Sequence, residues 1–166
     1  RMAKPRPTRR AAPADEFDDY VVHPRYGQRP RHTGLHPERP ATFKPGEPIV
    51  KFHWHSPEPV RIADTAVEAD ISRQVFTTFP VTHYFDVKRV CQACRRPFLF
   101  FADEQKYWYE ELGFSIEANC THCVPCRKQQ QDIARQRERY QRLFHVEQRT
   151  PAENLEMAEC CLAMIE

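Results

Sequence analysis

Cys91-Gln92-Ala93-Cys94 and, after 28 intervening residues, Cys123-Val124-Pro125-Cys126 are the stretches that decide how this chain is read. A two-residue spacer lets both sulfurs of a pair face inward from one tight turn. Four thiolates about 2.3 Å from a single Zn²⁺ need two such turns. Zn²⁺ held by Cys91, Cys94, Cys123 and Cys126 is therefore the expectation. Cys120-Thr121-His122-Cys123 overlaps the second pair, so Cys120 is the alternative ligand. The later pair is preferred because a Cys-x-x-Cys-Arg start to a helix makes the better knuckle. That choice leaves His122 a neighbour and Cys120 a small buried side chain.

The 28 residues between the pairs must fold into something. Arg96-Pro97-Phe98-Leu99-Phe100-Phe101 reads as a strand following an earlier one at Tyr84 to Val90. Asp103 stands where a helix N-cap belongs, ahead of Glu104 to Leu112, and Gly113 suits a left-handed stop. Trp108 and Leu112, one turn apart, are expected to cover the strand aromatics. The second pair opens another helix, free of Gly and Pro from Cys126 to Phe144, with Pro125 in its first turn. Thiolates there face the positive end of the helix dipole, which favours their charged form.

Cys91-x-x-Cys94, Phe98-Leu99-Phe100-Phe101-Ala102-Asp103-Glu104-Gln105, Tyr109, Gly113-Phe114 and Cys123-x-x-Cys126-Arg127 together resemble a small bacterial family of zinc-binding, zinc-ribbon-like domains. The resemblance spans roughly residues 84 to 130 and implies the same four cysteines as ligands; it brings no activity with it. Arg95 departs from the pattern, since that family usually has Gly after the first knuckle. An Arg held in the left-handed region would cost about 1 kcal/mol.

Working outward, the fold class expected is α+β: a small zinc-ribbon or treble-clef-like module over 84–128, with a Pro-rich arm and a helical extension. Residues 1–58 read as the arm, 59–83 as a short helical brace and 129–166 as the extension. Eleven of the 15 prolines fall within residues 1–59, and they deny the backbone both ladder donors and helix continuity. The arm also carries Arg-rich patches, the acidic cluster Asp15-Glu16-Phe17-Asp18-Asp19, and aromatics at Tyr20, Tyr26, Phe52 and Trp54 suited to docking on a surface. His53 and His55 flank Trp54 at a strand-like spacing and, with no third ligand near, read as docking groups. Thr65-Ala66-Val67-Glu68 is a capping box expected to start a helix through about Gln74, burying Ile62, Val67, Ile71 and Val75.

Beyond the second cysteine pair the charge divides. Residues 127–149 hold seven Lys or Arg against three acids, and 150–166 hold four Glu and no base. Ile133, Tyr140 and Phe144 recur at helical spacing. Arg127, Lys128, Arg135, Arg139 and Arg142 are the candidate phosphate contacts. Thr150-Pro151-Ala152-Glu153 is a second capping box, followed by Leu155, Ala158, Leu162 and Ile165 on one face. Cys160 and Cys161 point about 100° apart on such a helix and read as small core or interface positions.

Seven cysteines, a net charge of +2 and no leader or long apolar run give the expectation of a cytoplasmic protein without a membrane span. The chain opens on Arg1 and closes on Glu166 inside a helical pattern, so native residues are expected beyond the ends. No Ser/His/Asp triad, phosphate loop or glycine-rich nucleotide fingerprint is present. Gln130 stands where an iron–sulfur run would place its fourth cysteine. The functional expectation is a non-enzymatic zinc module that recognises nucleic acid, a ribonucleoprotein or a protein partner, with no small-molecule substrate. A structural subunit of a larger assembly is the alternative, and an iron–sulfur or redox protein a more distant one. The oligomeric state is left open.

Overall fold

The computed structural model describes residues 15–38, 49–75 and 79–165. The N-terminal Arg-rich patch, the prolines between residues 39 and 48, Thr78 and Glu166 lie outside the described residues. The order of elements is β1 (Val67–Glu68), β2 (His83–Tyr84), β3 (Val87–Val90), β4 (Pro97–Phe100), α1 (Ala102–Lys106), α2 (Val124–Phe144) and α3 (Pro151–Ala163). A one-turn 3₁₀ helix, Ile71–Arg73, follows β1, and a π-turn, Tyr107–Glu111, continues α1.

Two antiparallel hairpins carry the sheet structure. β1 pairs with β2 through Val67 opposite Tyr84, and β3 pairs with β4 from Val87 opposite Phe100 to Val90 opposite Pro97. The single strand expected from Tyr84 to Val90 is split at Phe85 and Asp86. The cause is Asp86, whose buried carboxylate serves two distant backbone donors: Oδ1 accepts from the Ala102 N–H at 2.7 Å and Oδ2 from the Arg31 N–H at 2.8 Å. The same bond corrects the expected cap of α1. Phe101 occupies the N-cap position without a side-chain bond, so Asp103 does not cap the helix, and the N–H of Ala102, the first helical residue, is taken by Asp86 from across the fold. Asp103 instead pairs with Arg31.

The helix expected from Thr65 does not form. The Thr65 hydroxyl donates to the Ile62 carbonyl at 2.7 Å and accepts from the Asp86 N–H at 2.9 Å, so it is not free to cap. Val67 and Glu68 are strand residues, and Asp70 caps the short 3₁₀ turn through Ser72. Long-range pairing overrides a local capping signal here.

The core lies in two patches joined by Trp108. One gathers Val21, Cys91, Phe98, Phe100, Cys120 and Cys123; the other gathers Val81, Tyr84, Ala102, Tyr109 and Ile116. Trp108 meets the Phe100 ring at 5.0 Å and the Phe114 ring at 5.3 Å. Leu112, expected beside it, is turned out to solvent because the π-turn adds a residue and rotates the next position off the strand.

The described parts of the arm lie on this core. Val21 bridges to Phe98, its N–H donating to the Pro97 carbonyl at 2.8 Å, and the Phe101 ring meets His23 and Tyr26 at 5.5 and 5.3 Å. Three of the four acids of the acidic cluster are paired within the chain: Asp15 and Asp18 share Arg29, and Glu16 pairs with Lys88. His53 is not on a strand. It sits buried in a turn, its Nε2 2.6 Å from the Ile116 carbonyl oxygen and its Nδ1 accepting from the His55 N–H at 3.0 Å.

α2 runs about 30 Å and α3 folds back on its C-terminal half. The Thr150–Glu153 capping box forms, and Arg149 donates to the last carbonyls of α2. The buried side of α3 is centred on Cys160, flanked by half-buried Met157, Cys161 and Met164. The apolar positions expected to mark its packed face, Leu155, Leu162 and Ile165, are 62, 64 and 81% exposed. No helix among the described residues is long and apolar enough to cross a membrane.

Candidate metal centre

β3 and β4 deliver the first knuckle at their connecting turn. The Cys91 N–H donates to the Arg96 carbonyl, and the Arg95 N–H returns to the Cys91 carbonyl, both at 3.0 Å. That turn closes with Arg95 at φ +62°, in the left-handed region. The second knuckle is the start of α2, where Cys123 is the N-cap and Pro125 lies in the first turn. A bond from the Cys123 N–H to the Cys91 sulfur, 3.4 Å, and one from the Gln92 N–H to the Thr121 carbonyl, 3.0 Å, tie the two knuckles together.

The sulfurs of Cys91, Cys94, Cys123 and Cys126 all lie within 4.8 Å of one another, and none is in a disulfide. Cys94 and Cys123, from opposite knuckles, are 3.8 Å apart at sulfur. A tetrahedron of sulfurs about 2.3 Å from its centre has edges of about 3.8 Å, so this pair already stands at the separation a tetrahedral ion requires. The donor set fits one thiophilic metal ion. Cys120, the alternative ligand, is outside the cluster. It is buried, its Sγ donates to the His122 carbonyl at 3.4 Å, and burial pushes its thiol up to about 12.

Residues 85–135 match a family model described as a probable treble clef domain. The treble clef here is the β3–β4 knuckle hairpin, the α1 and π-turn segment, and the first half of α2. No curated protein and no solved structure matches the chain.

The electrostatics of the treble clef site follow from crowding. Burial alone would raise the Cys91 thiol, but backbone N–H groups of Cys94, Cys123 and Ala93 point at its sulfur and bring it down to about 6. Burial pushes Cys123 up to about 12, with the neighbouring sulfurs adding to the effect, and Cys126 is also raised. Four sulfurs this close cannot all ionise unaided. A divalent cation removes that conflict and displaces the protons.

Beside the knuckle, Arg127 follows the last cysteine. Its Nη2 donates to Glu104 Oε1 at 2.5 Å, and its guanidinium lies 4.7 Å over the Trp108 ring. Gln105, the other half of the Glu-Gln pair, is buried and donates to the Phe85 and Phe100 carbonyls at 2.6 and 3.0 Å. Among the candidate phosphate contacts the structure makes a division. Arg127 is committed to Glu104, and Arg139 binds Glu156 of α3 at 2.6 Å. Lys128, Arg135 and Arg142 face solvent at seven-residue intervals along one side of α2, Arg135 with a neighbouring Asp132 at 3.1 Å. Sequence reasoning missed Asp86 and the His23–Glu104 approach at 3.5 Å, since neither partner pair is close in sequence.

Proposed function

We propose that the chain is a metal-stapled, non-enzymatic binding module whose resident ion is Zn²⁺ and whose α2 helix faces nucleic acid. The observation that carries this reading is the stripe Lys128, Arg135 and Arg142, which starts one turn from the metal knuckle and stays on one solvent face. Seven residues of helix rise about 10 Å, so the three cations are spaced along the helix and do not converge on one point. Zinc suits the four-thiolate donor set. Seven unpaired cysteines suit a reducing compartment, which supports the cytoplasm as its setting.

The test is titration of a labelled nucleic acid with the zinc-loaded chain at several salt concentrations. Binding should weaken with salt with a log–log slope of about −2 to −3, as three phosphate contacts give. Replacing Arg135 and Arg142 by Glu should abolish most of it. No association at low salt would refute the reading.

A second reading, a structural subunit of a larger assembly, is favoured by the exposed Leu155, Leu162 and Ile165 on α3. An obligate oligomer by size-exclusion chromatography, indifferent to nucleic acid, would replace the first reading with this one.

A further inference from the structure

The π-turn, residues 23–26 of the arm and residues 124–135 of α2 line a cleft of about 420 Å³ that the metal centre does not use. Its walls are aromatic: Tyr26 on the strap from the N-terminal arm, and Tyr107 and Trp108 on the π-turn. Its rim is cationic, with Arg25, Lys128 and Arg135. At its floor stands the Glu104–Arg127 pair. Glu104 is buried, and Oε1 takes the only hydrogen bond that its carboxylate makes among the described residues. Glu104 Oε2 and Arg127 Nε are both buried without a hydrogen-bond partner. Buried polar groups are rarely left so, and an orphan acceptor beside an orphan donor on one ion pair is a specific pattern.

We propose that this cleft takes an unpaired nucleotide of a single strand, a proposal that rests on the reading of α2 as the nucleic-acid face. A nucleobase edge carries N–H donors and acceptors side by side, the complement of Glu104 Oε2 and Arg127 Nε. His23 borders the same floor, its Nε2 3.5 Å from Glu104. Its ring is held by the Arg25 and Tyr26 N–H groups, which donate to Nδ1 at 3.1 and 3.2 Å, so the base reaches Glu104 only where that ring tilts aside. Tyr107, 45% exposed and stacked on no ring among the described residues, offers the base a free face. The phosphate then falls to Lys128 and Arg135, where the solvent-facing stripe of α2 begins. An acidic peptide fits less well, because its carboxylates would meet Glu104 at the floor and gain nothing from the aromatic walls.

The experiment uses the zinc-loaded full chain carrying Trp54→Phe, so that Trp108, in the cleft, is the remaining tryptophan. Nucleoside monophosphates, inorganic phosphate, a short mixed-sequence single strand, its duplex and a Glu-rich peptide are each titrated. Nucleoside monophosphates should change Trp108 emission where phosphate does not, and the single strand should bind about tenfold or more tighter than the duplex. Tyr107→Ala should weaken the single strand by about five- to a hundredfold, as loss of one base stack does, with metal content unchanged. Tyr107→Leu, which keeps bulk but not the π face, should weaken it as well. Lys128→Ala should reduce the salt slope by about one contact.

Binding that ignores both Tyr107 variants and Lys128→Ala overturns the cleft and leaves the α2 reading standing. Equal affinity for duplex and single strand, or tighter binding of the peptide, also overturns the cleft. Monophosphate binding without any strand binding overturns the α2 reading instead and leaves a free nucleotide as the occupant. Silence from every nucleotide and strand overturns both.

Discussion

Single side chains in this protein settle questions that lie far apart in the sequence. His53 is the clearest case: both ring nitrogens are engaged when the ring is neutral, Nε2 with the Ile116 carbonyl and Nδ1 with the His55 N–H. Burial, only partly offset by the Ile116 bond, lowers its pKa to about 4. The folded ring therefore takes its proton later than the unfolded chain does. Its contribution to stability is complete above about pH 6.5 and is lost as pH falls through about 4. Asp86 acts with the opposite sign. Burial raises it to about 6, so its contribution is complete below 3.8 and is lost as pH rises through about 6. A bulk melting curve mixes the two, whereas the ring proton resonance of His53 reports one of them. An NMR titration should place its midpoint near 4, and a midpoint near 6.5 would mean that the ring is not buried.

At the scale of elements, the knuckles were legible because a two-residue cysteine spacing is a local instruction, and so was the capping box at Thr150. The brace helix at Thr65 and the cap at Asp103 were misread for one reason. Each signal was locally sound, but Asp86 and the pairing of Val67 with Tyr84 supplied competing partners from elsewhere in the chain. The first knuckle also carries its own strain: Arg95 sits at φ +62° with its N–H bonded to the Cys91 carbonyl. Arg95→Gly relieves a cost of about 1 kcal/mol, reduced by the greater freedom of Gly in the unfolded chain. The zinc-loaded variant should unfold at equal or higher denaturant, with unchanged slope; a loss of stability would show that the Arg95 side chain holds the turn in a way its exposure does not suggest.

For the molecule as a whole, the metal ligands anchor one of two small core patches: Cys91 and Cys123 lie in the first, and Trp108 joins it to the second. Structural zinc is worth about 10 kcal/mol or more in isolated fingers, on the order of the entire stability of a small domain. Chelation should therefore remove the near-ultraviolet signal of Trp108 and its neighbours. Cys123→Ser should do the same without chelator, because it deletes a ligand while leaving a residue that caps α2 at least as well as Cys, whose side chain makes no capping bond. Cys120→Ser should keep its metal and lose stability only through a buried hydroxyl. Metal loss from Cys120→Ser equal to that from Cys123→Ser would refute the assignment of ligands. On α3 Cys160 is buried, as its reading as a small core position expects, whereas Leu155, Leu162 and Ile165, expected on the packed face, are exposed because Met157, Cys160 and Met164 fill the buried side instead.

The ligands also come from two places that are made at different times. On a translating ribosome Cys91 and Cys94 emerge first, and at 5–20 residues per second Cys126 follows about 2 to 7 s later. During that interval the nascent hairpin presents half a coordination shell, open to competing soft ions and oxidants, and the first turn of α2 ends that exposure when it arrives.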